Sequence, residues 1–194
     1  FVKDHTLVTF NGTGYDIPIL SLVVKGKTVE EIKEANDAII LNGMKPWVFA
    51  DHYRVDLDHP NLDTIDLMEV APLTGSLKLY AAKCHSESVQ DLPFDPNTWL
   101  TGEQIEIATE YCFNDLKSTR DLHTRLKTQI ELREAMGKTY GLDLRSKSDA
   151  QMAEAIIKIE CEKLTKKRIE KPGDLTGKTF PYRIPLWMEF REID

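Results

Sequence analysis

Two short runs rich in β-branched residues, Thr6-Leu7-Val8-Thr9-Phe10 and Asp63-Thr64-Ile65-Asp66-Leu67, are the stretches of this 194-residue chain that read as strands. Most of the remainder carries helix punctuation. Tyr15 to Val24 reads as a helix begun at Asp16-Ile17-Pro18, where proline is tolerated in the first turn, and ended by Gly26. Thr28-Val29-Glu30-Glu31 is a capping box that opens a second helix to Leu41, stopped by Asn42-Gly43. Residues 45–62 show no clear period. Ser76 caps a helix from Leu77 to Cys84, with His85 at its end, and residues 88–100, with Pro93 and Pro96, read as a loop.

A second capping box, Thr101-Gly102-Glu103-Gln104, opens the longest helix, over 102–136. Its apolar positions Ile105, Ala108, Cys112, Leu116, Thr119, Leu122, Leu126 and Ile130 keep the helical period, and Gly137 and Gly141 end it. Ser148 with Gln151 caps a last helix over 149–169, with Ala153, Ile156, Ile157, Cys161 and Leu164 as its stripe. Pro172, Gly173, Gly177, Pro181 and Pro185 mark an extended tail. The chain therefore divides into a body (1–137), a basic helical extension (138–171) and a Pro-rich tail (172–194), and its class reads as α/β.

Composition narrows the setting. No apolar run approaches the roughly 18 residues a membrane span needs. Cys84, Cys112 and Cys161 are too few and too scattered for a disulfide framework or a zinc site, which suits a reducing, cytoplasmic compartment. The net charge of −7 argues at first against a nucleic-acid partner. That charge is uneven, however: residues 138–171 hold nine Lys and Arg against six Asp and Glu, and the acid excess lies in residues 1–137. Lys163, Lys166, Lys167, Arg168 and Lys171 suit phosphate contacts or a solvated helix end equally.

Two groups of residues suggest chemistry. Asn11-Gly12-Thr13-Gly14-Tyr15-Asp16 follows the first strand and opens a helix, the place where α/β folds put ligands. Asp16 there can bind a hard cation, or serve as a turn and N-cap residue. The glycines hint at a phosphate loop but lack the Lys-Ser/Thr of one. In the long helix, Tyr111 and Asp115 are four apart and share a face. A phenol one turn from a carboxylate suits a metal-bound water; an ordinary half-buried Tyr beside an exposed Asp is the plainer reading. Asp56-Leu57-Asp58 reads as a solvated loop, His123 as a surface histidine, and Trp47, Trp99 and Trp187 as packing or interface residues.

Taken in order, Asn-x-x-x-Tyr-Asp after a strand and Tyr-x-x-x-Asp in a later helix resemble the second and third motifs of the DnaQ-like 3′–5′ exonucleases, in the branch whose third motif carries Tyr. Asp63 to Leu67 and Ser76-Leu77-Lys78-Leu79-Tyr80-Ala81-Ala82 resemble that family's last strand and the helix after it. The likeness covers residues 5–136. Tyr140 to Ala150 looks similar to the segment after the exonuclease domain in bacteriophage-type DNA polymerases and related phage nucleases. The resemblance implies a ribonuclease-H-like exonuclease fold with a C-terminal helical extension and two Mg²⁺ or Mn²⁺ ions. It makes Asp16 and Asp115 metal ligands, Tyr111 the orienter of the attacking water, and Asn11 and Tyr15 contacts to the 3′-terminal nucleotide. The implied reaction is hydrolysis of the terminal phosphodiester of single-stranded DNA in proofreading or replication, in the host cytoplasm if the chain is phage-derived. An RNA substrate, or a non-catalytic module of the same fold that binds protein or nucleic acid, stays open.

One departure qualifies this. The family's first motif, Asp-x-Glu on its first strand, does not occur in this sequence. With Phe1 rather than Met at the start, the expectation is an N-terminally incomplete exonuclease fold that is inactive alone. A preceding segment or a second chain would then complete the sheet, because two strands make a marginal one and an open edge invites pairing.

Overall fold

A computed structural model describes residues 5–57, 62–170, 173, 176–179 and 183. Most of the expected tail, with Pro172, Pro181, Pro185 and Trp187, lies outside the described residues, as do Asp58 and Lys171. The chain divides into two compact units, Phe1–Ile156 and Ile157–Asp194.

The elements of the first unit follow its local signals. Strand β1 (Leu7–Thr9) leads through a turn into α1 (Asp16–Val24). The capping box at Thr28 and Glu31 forms as expected and opens α2 (Val29–Ile40). Then comes α3 (Pro46–Tyr53), inside the stretch that showed no period, with Pro46 at its start and Arg54 ending it in the left-handed region. Strand β2 (Thr64–Asp66) runs straight into the short α4 (Leu67–Val70). Ser76 caps α5 (Leu77–Cys84), and Thr101 with Gln104 caps α6 (Gly102–Arg125).

The expected 102–136 helix is interrupted at Leu126, whose ψ of 4° breaks the helical geometry, and continues as α7 (Lys127–Tyr140). Gly137 does not end it. It lies within α7, and a Cβ there would come within 2.5 Å of the Leu142 carbonyl oxygen, so the glycine lets the following segment fold back closely. Gly141, at φ 67°, is the residue that stops α7. Helix α8 (Asp149–Thr165) starts at the Ser148–Gln151 cap and extends into the second unit.

β1 and β2 pair in parallel with Leu7 opposite Thr64, Val8 opposite Ile65 and Thr9 opposite Asp66. Parallel neighbours need a long crossover, and α1–α3 provide it. Residues 144–146 meet the other edge of β2. Ser146 Oγ accepts the Asp66 backbone N–H at 2.9 Å and donates to the Thr64 carbonyl, Arg145 pairs with Asp63 and Asp143, and Leu144 is buried. The Leu144-Arg145-Ser146 segment thus acts as a clasp on the sheet.

The ribonuclease-H-like α/β fold expected from the motifs, complete or N-terminally incomplete, is not what these residues form. Of the described residues 57% are helical and 4% lie in strands, and the sheet is the single parallel pair. The physical reason lies in the sequence pattern: two β-branched runs support two strands, and capped helices take up the rest. The apolar burial follows suit. One core gathers Ile65, Leu67, Val70, Tyr80, Leu122, Leu126 and Ile130, with Val8 and Phe10 of the β1 region against it. A second gathers Leu22, Ala35 and Phe49 among the three crossover helices.

The second unit contains the end of α8 and the residues after it. There Glu160 pairs with Lys163 at 2.8 Å, and the Glu162 carboxylate accepts the Ile169 backbone N–H at 2.8 Å.

Candidate functional site

The 11–16 turn is built from close approaches. Asn11 sits at φ 64°, and its carbonyl accepts the N–H groups of Gly14 and Tyr15 at 3.0 and 2.9 Å. A Cβ on Gly12 would strike the Thr9 side chain down to its own Cβ, so that position requires glycine for space; one on Gly14 would meet the Asn11 Oδ1, the end of a side chain that can turn aside. Beneath the turn lies Asp66, at the end of β2 and 3% exposed. Its Oδ1 accepts the Asn11 N–H at 2.8 Å and the Met68 N–H at 3.2 Å; its Oδ2 accepts the Thr13 N–H at 3.1 Å.

This turn presents Tyr15 and Asp16. Tyr15 is the residue before α1, and its hydroxyl donates to Asn36 Oδ1 of α2 at 2.6 Å, which leaves the ring rather than the hydroxyl for a ligand. Asp16 is the first residue of α1, not its cap, where a carboxylate suits the helix dipole. Burial pushes the Asp16 carboxyl above the usual range; its own backbone N–H offsets this in part, and the Asp66 charge adds to the rise. Burial, with the Asp16 charge, also raises the Tyr15 phenol.

The second group lies on α6, against which α5 packs. Tyr111 and Asp115 share a face as the spacing predicts. Burial pushes the Tyr111 phenol up, and the Asp115 charge and a hydrogen bond to Asp115 push it the same way. Lys78 of α5 completes the group: it bonds Asp91 Oδ1 at 2.7 Å, and the Asp91 bond raises its ammonium pKa, with smaller contributions from the charges of Tyr111 and Asp115. Sequence reasoning gave Lys78 no role of its own. A lysine in the first turn of a Ser-capped helix does not stand out in sequence; its nearness to the Tyr-Asp pair comes from the packing of α5 on α6. Asp66 was missed as well, because its partners lie 53 and 55 residues away.

The interactions of these residues fall into two sets, Asp16 with Asp66 and Asp115 with Tyr111 and Lys78. Among the described residues no group of three or more His, Cys, Asp or Glu is placed to hold a metal ion. Three of the lone-pair positions on Asp66 are already filled by backbone N–H groups, so it adds little to Asp16 as a ligand. The described residues therefore do not assemble the two-ion centre that the motifs imply.

A large cleft of about 780 Å³ lies elsewhere, lined by residues of α2 and α3 and by Pro96 to Trp99. None of Asn11, Tyr15, Asp16, Tyr111 or Asp115 lines it. Its rim carries Glu30, Glu34 and Asp37, with Lys33 bound to Asp37 at 2.5 Å, and that excess of carboxylates disfavours a phosphate ligand. Among the described residues no helix is long and apolar enough to cross a membrane. No protein-family model, no curated protein and no solved structure matches the chain.

Proposed function

We propose that this chain is part of a metal-dependent 3′–5′ exonuclease that hydrolyses terminal phosphodiesters of DNA in replication or proofreading. The observation that carries the reading is the group on α5 and α6: Tyr111 and Asp115 one turn apart on α6, close enough for the carboxylate to raise the phenol, with the Lys78 ammonium of the packed helix α5 near enough to feel both. Asp115 there is a ligand for a hard cation, Tyr111 holds the attacking water, and Lys78 offers charge to the phosphate. Asp16, in the other group, is a cation ligand in its own right; a carboxylate held among buried groups and beside another carboxylate gains from a cation. Asn11 and the Tyr15 ring contact the terminal nucleotide.

Mg²⁺ or Mn²⁺ is the cofactor this reading needs, and such ions supply Lewis-acid stabilisation of the phosphoryl oxygens. Two ions require more carboxylates than the described residues bring together. The remainder comes from a further segment or a second chain, so this chain alone trims little or no single-stranded DNA, with Mn²⁺ or without.

The test uses a 3′-labelled single-stranded oligonucleotide and the protein that carries the whole site. Asp115→Asn lowers turnover by about 10³-fold or more, and Tyr111→Phe lowers it by about 10-fold. Full activity of Asp115→Asn refutes the site. Robust trimming by the present chain alone refutes the need for further carboxylates.

A further inference from the structure

We infer that Asp66 is a positioning residue of this site, which acts through the backbone N–H groups of Asn11 and Thr13 to hold the 11–16 turn in the shape that presents Tyr15 and Asp16. Its carboxylate is almost fully buried, and a buried charge is costly unless hydrogen bonds satisfy it. The structure satisfies it with three backbone N–H groups, two of them from a turn more than fifty residues away in sequence. The strand register explains how this happens: Thr9 is opposite Asp66, so the Asp66 side chain lies under the residues just after Thr9. From the other side Ser146 Oγ accepts the Asp66 backbone N–H and fixes the strand end.

The turn needs such a partner. Asn11 holds a left-handed backbone conformation, one that asparagine tolerates better than most side chains but that its neighbours must still define. N–H groups from Asn11 and Thr13 converging on one anion are the arrangement that backbone concavities use to bind anions. Here the bound anion is a side chain of the protein itself. The motif Asn-Gly-Thr-Gly-Tyr-Asp is thus half of a structure whose other half is Asp66: Gly12 clears Thr9, and Asp66 ties Asn11 to Thr13.

A plainer role competes. Asp66 also caps α4 through Met68, and a cap alone would tolerate Asn or Ser with little loss. Turn-holding would not. Asn places an NH₂ group where the Thr13 N–H needs an acceptor, and Ser is too short to reach both Asn11 and Thr13. The variants Asp66→Asn and Asp66→Ser therefore separate the two roles by amide hydrogen exchange on the full chain. In Asp66→Asn the Thr13 amide exchanges about 10-fold faster, while Met68 keeps its protection. In Asp66→Ser both Asn11 and Thr13 exchange faster, again with Met68 protected. Asn11 and Thr13 rates within about 2-fold of the parent in both folded variants would overturn the inference.

The unaltered chain gives a check that needs no variant to fold: scalar couplings across the hydrogen bonds, from the Asn11 and Thr13 amide nitrogens to the Asp66 carboxyl carbon. Detectable couplings support the inference, and their absence for both residues overturns it. The functional consequence rests on the reading of Asp16 as a cation ligand and is measured apart. Line broadening by Mn²⁺ alone at Tyr15 and Asp16 weakens several-fold in both variants. If broadening survives both variants but disappears in Asp16→Asn, the positioning role fails and the ligand reading stands. If Asp16→Asn leaves it unchanged, the ligand reading fails and the exchange data alone decide the role of Asp66.

Discussion

Gly12 illustrates how a residue that reads as a turn former is fixed by its neighbour. The Asn-Gly pair was legible as a turn from sequence, but the need for glycine comes from the Thr9 side chain packed against it. Gly12→Ala must displace Thr9 and should destabilise the chain by about 1–3 kcal/mol in urea unfolding. Gly102 is the matched contrast, with open space where its Cβ would stand at the start of α6; Gly102→Ala should be neutral or stabilising by up to about 1 kcal/mol. Equal losses at the two positions would refute the packing account. Arg145 makes a pH prediction. Its hydrogen bonds, with that from Thr6, hold the Asp63 carboxyl below the usual range, and it holds Asp143 down in the same way. The unfolded chain binds more protons than the folded one between the lowered and ordinary carboxylate pKa values. Stability from this triad is therefore complete above the ordinary carboxylate pKa and is lost as pH falls through the lowered values. Arg145→Gln should flatten that acid limb in melting curves taken from pH 6 downward; an unchanged slope would contradict it. The bonds of Asp63 to Arg145 and Thr6 were not visible in the sequence, since they join residues 82 and 57 apart, whereas Arg145 and Asp143 are only two apart.

At the scale of elements, local chemistry was readable and rotation was not. The caps at Thr28, Ser76, Thr101 and Ser148 form as expected because a cap involves only residues three apart. Thr101→Ala should cost about 1 kcal/mol, seen as a lower unfolding midpoint with an unchanged denaturant slope. Helix α3 leaves little trace in the sequence because Lys45 before it offers no capping side chain and its one deeply buried residue is Phe49. On α6 the expected apolar stripe turns out to face solvent at its start: Ile105, Cys112 and Leu116 are exposed, while Asn114 and Ser118 are buried. The buried positions step by four from Asn114 through Ser118, Leu122 and Leu126 to Ile130, so contacts at the C-terminal end set the rotation of the whole helix. On α8 no residue of the expected stripe is buried among the described residues. Arg133 shows tertiary context again: it is 2% exposed on α7, and its guanidinium donates to the Gln129 and Lys147 carbonyls and to Asp149. Arg133→Ala should cost about 2 kcal/mol or more, because it leaves the Lys147 carbonyl without that donor and unlinks α7 from the start of α8. Unfolding midpoints within about 0.5 kcal/mol of the parent would contradict that role.

For the whole molecule, the motifs and the architecture point in different directions. Order and spacing along the chain lead to the expectation of an exonuclease fold, yet the described residues are helical around one parallel strand pair. Spacing could place Tyr111 and Asp115 on one face, because four residues on a helix leave no alternative. It could not say whether Asp16 and Asp115 meet, because that depends on the packing of β1, β2 and α6 together. The net charge of −7 is compatible with a nuclease when cations supply the positive charge, and the carboxylate-rimmed cleft on α2 accounts for part of it without serving phosphate. That cleft is also the natural rival for added cations. The most direct test is therefore an amide NMR titration of the chain with Mn²⁺, read residue by residue. The account predicts broadening centred on Asp16 and on Asp115 with Tyr111, each lost in its own Asn variant. Broadening confined to Glu30, Glu34 and Asp37, or left intact by Asp16→Asn and Asp115→Asn, would contradict it.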